Sequence, residues 1–167
     1  MPAQSEYAKP SRLGAAWALL GWLALCFAVA AVSSYSSVDN ISGWYAGLAK
    51  PRLIPVDWVF ASVWTVLYAL MAVAAWLVWR TRPSSCRLRG LRLFFVQLWF
   101  NLLWSWIFFS RHQIGIALID LVVLWVAIVL TTLNFRKVSK TAMWLMLPYL
   151  VWVTFAAYLN FALWRKN

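Results

Sequence analysis

Gln97, Asn101, Trp104 and Phe108 recur at i, i+4, i+7 and i+11 of one apolar run, so a helix there carries two amides and two aromatic rings on one face. A second run places Trp64, Tyr68, Met71 and Ala75 on a shared stripe, and a third does the same with Tyr149, Trp152, Ala156 and Asn160. Three such stripes can line one pocket. They serve equally as glue between helices, because Asn, Gln and Tyr stabilise membrane helix pairs by roughly 0.6 to 2 kcal/mol without any ligand. Spacing alone does not choose between the two readings.

The remaining reactive residues are few. Asp120 is the only acid inside an apolar run, about two turns into it, with no basic residue at comparable depth. An ionisable group at that depth is costly, and is by default functional or half of a pair. One acid is too few for two-carboxylate catalysis or a proton relay, so a structural role is expected. Cys26 and Cys86 form neither a metal spacing nor a redox pair. His112 stands beside Arg111 in a short connection, so axial ligation of haem by an imidazole at membrane depth is not expected, nor is any metal site. Pro148 falls near the start of the last run, where it frees a carbonyl one turn earlier.

The elements that must position these residues are membrane helices. Hydrophobic residues make up 65% of the 167-residue chain and charged residues 11%, against roughly 25% charge in a soluble domain. Apolar runs at 14–32, 58–79, 93–109, 114–133 and 141–164 each approach the roughly 20 residues that cross hydrocarbon. The expectation is a single all-α domain over 1–167: an integral membrane bundle of five transmembrane helices, with a polar tail at 1–13. A signal peptide is the competing reading of the first run, but Ser33-Ser34-Tyr35-Ser36 makes a poor cleavage site. Among the 14 tryptophans, Trp58, Trp79, Trp144 and Trp164 sit near helix ends, where indole prefers the headgroup level; Trp64, Trp104, Trp125 and Trp152 lie deeper.

The net charge of +11 flanks the apolar runs, an arrangement that points to anionic lipid and insertion topology rather than to nucleic acid. Five spans place Lys9, Arg12, Arg80, Arg82, Arg87, Arg89, Arg92, Arg136, Lys137 and Lys140 on one side and Lys50, Arg52, Arg111, Arg165 and Lys166 on the other. In a bacterial inner membrane this split puts the N-terminus in the cytoplasm. The longest connection, 33–57, mixes turn formers, charges and the pair Trp44-Tyr45, and reads as an ordered lid over one end of the bundle. The other loops are short, which favours a compact antiparallel bundle. Five helices do not divide into two inverted halves, so the repeat signature of many secondary transporters is absent.

These residues resemble the tryptophan-rich sensory protein, or translocator protein, family. The resemblance is carried by Trp44-Tyr45-x-x-Leu48-x-Lys50-Pro51, Pro55, Phe60 and Val63-Trp64-x-x-Leu67-Tyr68. It continues through Gln97-Leu98-x-x-Asn101-x-x-Trp104, Phe108-Phe109 and Ala117-Leu118-Ile119-Asp120-Leu121. It closes with Pro148-Tyr149-Leu150-x-Trp152-x-x-Phe155-Ala156-x-x-Leu159-Asn160 and Trp164-Arg165, in order and over nearly all of the chain beyond the first helix.

The resemblance implies a five-helix bundle, often a homodimer, that binds porphyrins such as protoporphyrin IX as ligand and, in some members, benzodiazepine-type compounds, with no required cofactor. Carried over by position, the ligand site comprises Trp44 and Lys50 from the loop, Trp64 and Tyr68, Asn101 and Trp104, and Trp152 and Ala156, with Arg52 as a further candidate partner for ligand carboxylates. Some members are reported to promote light-driven porphyrin breakdown, which would make Trp64, Trp104 and Trp152 candidate electron donors; export of a porphyrin or related metabolite is a third reading. Two departures bear on shape: Leu53 and Pro55-Val56 stand where the family commonly has Trp and Pro-Pro, and Ser105-Trp106 stands where vertebrate members have Pro-Pro, which predicts a straighter third helix. No sterol site is expected, because six residues separate Tyr158 from Arg165 and the proposed pattern allows at most about five.

Overall fold

The computed structural model describes residues 10–41, 43–51, 55 and 57–167. Five helices account for nearly all of it: α1 (Arg12–Ile41), α2 (Asp57–Trp79), α3 (Ser85–Ser105, extended by a π turn over Trp106–Ser110), α4 (Ile114–Val138) and α5 (Lys140–Trp164). All five are long and apolar enough to cross a membrane. Their outward faces carry Trp17, Trp99, Ile119, Trp144 and Val151, each more than 60% exposed, a surface that suits hydrocarbon rather than water. The protein is an all-α, multi-pass membrane bundle.

Helix boundaries follow from local chemistry. Ser84 Oγ accepts from Arg87 N at 3.1 Å and starts α3. Ser139 ends α4, its N–H donating to Phe135 O at 2.7 Å, and caps α5, its Oγ accepting from Ala142 N at 3.3 Å. The α4–α5 reversal therefore needs a single residue. Helix α5 continues through Pro148.

Two boundaries differ from the sequence reading. Helix α1 does not stop at Val32 but runs to Ile41, so the non-helical connection is shorter than 33–57. Its serines hydrogen-bond back along the helix, Ser36 Oγ to Val32 O at 3.2 Å and Ser37 Oγ to Ser34 O at 2.9 Å, and this lets a polar run stay helical. At the far end of α3 the expected straightness gives way to the π turn, whose wider ring is closed by Arg111 N donating to Trp106 O at 3.1 Å.

The helices pack in the cyclic order α1, α2, α5, α4, α3. Helix α1 leans on this bundle from outside: only 6% of its spanning window is buried, against 33–39% for the others. At one end of the bundle the first connection meets the α3–α4 turn and the C-terminal residues. Ala49 N donates to Asn167 Oδ1 at 2.9 Å, Asn167 Nδ2 to Ala49 O at 3.4 Å and Lys166 Nζ to Lys50 O at 3.4 Å. Placing the first loop and the last residues at one end is what an odd number of spans requires.

Candidate ligand cavity

A cavity of about 370 Å³ opens between α1, α2 and α3 near the loop end, with α5 closing its back through Ala156. Helix α2 contributes Phe60, Ala61, Trp64, Thr65 and Tyr68; α3 and its π turn contribute Asn101, Trp104, Ser105 and Phe109. Helix α1 lines the opposite wall with small side chains, Ala30, Ser33, Ser34 and Ser37, between Phe27 and Ile41. Tyr45, in a short 3₁₀ turn over Tyr45–Gly47, roofs the space.

The polar groups in the wall are mostly engaged with one another. Tyr68 OH donates to Asn101 Oδ1 at 2.5 Å, and Asn101 Nδ2 donates to Tyr149 OH at 3.1 Å, so this buried amide is held at both ends by phenols from α2 and α5. Trp104 Nε1 donates to Asn160 Oδ1 at 3.1 Å, and Asn160 Nδ2 passes the chain on to Ile114 O at 2.9 Å. One edge and one face of the indole are thereby fixed, since its ring also stacks on Phe108 at 5.2 Å. A fully bonded network of this kind sets ring orientation. Among the described residues the lining contains no charged side chain. It offers aromatic faces, hydroxyls and an apolar floor, and no nucleophile paired with a base.

Of the eight site residues read from the sequence, Trp64, Tyr68, Asn101, Trp104 and Ala156 meet in this cavity. Trp44, Lys50 and Trp152 do not line it. Trp44 packs edge-on against Phe108 at 5.7 Å, and Lys50 Nζ lies 4.7 Å over the Tyr45 ring, both on the outer side of the roof. Trp152 turns toward an apolar groove between α2 and α5, and meets the ring of Phe60 in the cavity wall edge-on at 5.3 Å. Helical geometry explains this. Ala156 and Asn160 fall within roughly 20° of Tyr149 around α5, whereas Trp152, three residues on, is roughly 60° away. Arg52, Leu53 and Val56 lie outside the described residues. Asp120 is buried at 6% exposure, outside the lining, and its Oδ2 has no hydrogen-bond partner among the described residues.

The α1 wall is what the sequence reading missed. Ala30, Ser33, Ser34, Ser37 and Ile41 stand at i, i+3, i+4, i+7 and i+11, a one-face helical pattern hidden by treating the serine run as a loop. Tyr45, Ser105 and Phe109 are further additions.

The sequence profile of the TspO/MBR family matches residues 22–165. A tryptophan-rich protein TspO of Chlorobaculum tepidum is 42% identical, over 87% of this chain and 92% of its own. The tryptophan-rich sensory protein of Cereibacter sphaeroides is 38% identical over 90% and 92%, and the translocator protein of Homo sapiens 40% identical over 74% and 75%. A match across nearly all of α1 to α5, at these identities, means that the chain belongs to the TspO/MBR family.

Proposed function

We propose that this protein is a membrane-embedded receptor for tetrapyrroles such as protoporphyrin IX, with a sensory or regulatory role. The observation that carries the reading is the aromatic cavity beneath Tyr45, whose volume of about 370 Å³ falls within the roughly 300–1,000 Å³ of small-molecule sites. A flat macrocycle stacks on the faces of Trp64 and Trp104, while its carboxylates remain at the loop end, where Lys50 and Lys166 stand around the roof. The names of relatives support the role: one is called a sensory protein and others translocator proteins. The test is quenching of Trp fluorescence by protoporphyrin IX in detergent-purified protein. Trp104→Ala should weaken binding by about five- to a hundredfold, the loss of one stacked ring, about 1 to 3 kcal/mol. An unchanged affinity sinks the reading.

Two of the three candidate electron donors, Trp64 and Trp104, line the cavity, which keeps light-driven porphyrin breakdown as a second reading. Illumination of the complex separates them: product formation lost in Trp104→Phe marks an enzyme, and binding without turnover marks a receptor. We also infer a bacterial inner-membrane location with the loop end outside, from the ten-to-five division of basic residues. A reporter fused after Asn167 should then behave as periplasmic, and one between Arg80 and Arg92 as cytoplasmic.

A further inference from the structure

The turn between α3 and α4 contains the one non-glycine residue with positive φ among those described, His112 at φ 55°. A left-handed backbone is costly for a residue with a Cβ, and here it directs the imidazole back over the roof. The ring stacks on Trp44 with centroids 4.2 Å apart and planes 17° from parallel, and Nε2 lies 3.0 Å from Asn40 Oδ1, donating in the tautomer that carries its proton there. His112 thus joins three pieces of chain: the last turn of α1, the roof segment 43–51 and the π turn below it.

The contact bears on the cavity through two adjacent residues. Trp44 and Tyr45 both pack on Phe108, at 5.7 and 6.1 Å. Tyr45 faces the cavity, and Trp44 faces His112. Phe108 in turn stacks on Trp104 in the cavity wall. A pull on Trp44 therefore moves the ring that closes the space, because the 3₁₀ turn binds the pair to Gly47 and Leu48 through Gly47 N donating to Trp44 O at 3.2 Å and Leu48 N to Tyr45 O at 3.3 Å.

We propose that His112 is a positioning residue for the cavity: by stacking on Trp44 and bonding Asn40, it latches the roof segment shut and sets how fast ligand exchanges. The ligand role of the cavity rests on the tetrapyrrole reading; the latch itself does not. His112→Gly is the informative variant, since it removes the ring while easing the left-handed backbone, so the turn has no reason to unfold.

Amide hydrogen exchange at Ala49, whose N–H leaves the roof segment to donate to Asn167 Oδ1 at 2.9 Å, reads the lifting of that segment in ligand-free protein. Loss of one stacked pair and one hydrogen bond should speed it about tenfold. With protoporphyrin IX, association and dissociation should both accelerate about tenfold while Kd stays within about threefold, because a latch moves the barrier and not the bound state. Asn40→Ala, which keeps the stack, should shift the same quantities in the same direction by less. Unchanged exchange in His112→Gly overturns the latch. Faster dissociation with unchanged association also overturns it, since the ring would then be touching ligand. If the unmodified protein fails to bind protoporphyrin IX, the tetrapyrrole reading falls, and the exchange measurement alone decides whether the latch exists.

Discussion

The two halves of the bundle use the same helices and fill them in opposite ways. Toward the tail end, Gly90 on α3 lets Phe135 of α4 approach so closely that an added Cβ would meet its ring carbons at 3.1 and 3.2 Å. Phe135 stacks on Phe94 at 6.1 Å, and Trp22 of α1 closes the other side edge-on at 5.7 Å. Toward the loop end, α1 changes from Trp22 and Cys26 to Ala30, Ser33, Ser34 and Ser37, and the volume those small side chains give up is the cavity. Packing is tight where ring meets ring across a missing Cβ, and open where one helix thins its side chains.

The largest effect should come from breaking the filled half. Phe94 is fully buried between Trp22, Phe95 and Phe135, so Phe94→Ala should cost about 3 to 5 kcal/mol of stability. Denaturant titration in detergent measures it, and porphyrin affinity of the folded fraction should stay within about threefold. A comparable loss of affinity would mean that the halves are not independent.

The converse change fills the open half. Ala30→Leu adds apolar volume to the α1 wall of the cavity. It should lower porphyrin affinity by about thirtyfold, about 2 kcal/mol, while leaving stability equal or slightly higher, because the new side chain extends into the cavity and displaces no packed neighbour. A stability loss above about 1 kcal/mol would show that the wall has no room, and that the cavity is not made by small side chains.

The sequence and the structure part at this same division. The helix count, the bundle and the inward faces of α2 and α3 were legible because amides and aromatics repeat at helical spacing: Trp64 with Tyr68, and Asn101 with Trp104, face one space. The α1 wall was not legible. Serine has low helical weight in isolation because it competes for backbone hydrogen bonds, so the stretch after Val32 carries the signal of a loop; once in a spanning helix, the same hydroxyls bond to carbonyls three and four residues back. The placement of Trp152 outside the cavity lining has another cause. A shared stripe on α5 tolerates a deviation of roughly 60°, and in a bundle that angle is enough to carry a side chain from the cavity to the groove outside. His112 carried no signal at all, since its role depends on a backbone conformation and on a partner far away in the chain.

An intermediate effect probes the polar network in the wall of the cavity. Tyr68→Phe deletes the hydroxyl that bonds Asn101 Oδ1 and leaves that buried oxygen unpaired, which should cost about 1 to 3 kcal/mol of stability. Tyr68→Phe combined with Asn101→Leu and Tyr149→Phe should recover part of the loss, because Asn101 also bonds Tyr149 OH and removing all three partners leaves no orphan behind, and thermal unfolding of the single and triple variants checks the sign of the difference.

The smallest expected effect distinguishes two tryptophans that the sequence treats alike. Trp104 Nε1 has a partner in Asn160, whereas Trp152 Nε1 is buried and has none among the described residues. Substitution by Phe retains an aromatic ring at each site and removes only the N–H and part of the ring area. At Trp104 it should cost about 1 kcal/mol in stability, the ordinary net worth of a hydrogen bond plus the penalty on Asn160 Oδ1, and it should weaken porphyrin binding, because the indole plane is no longer held. At Trp152 it removes an unsatisfied donor, so stability should stay within about 0.5 kcal/mol or rise, and affinity should follow only the support that this ring gives to Phe60. Parallel melting curves and fluorescence titrations of the two variants supply both numbers. Equal losses at both positions would mean that Trp152 finds a polar partner in the membrane or meets the ligand itself, and that the boundary between cavity and outer groove lies one helix face further out.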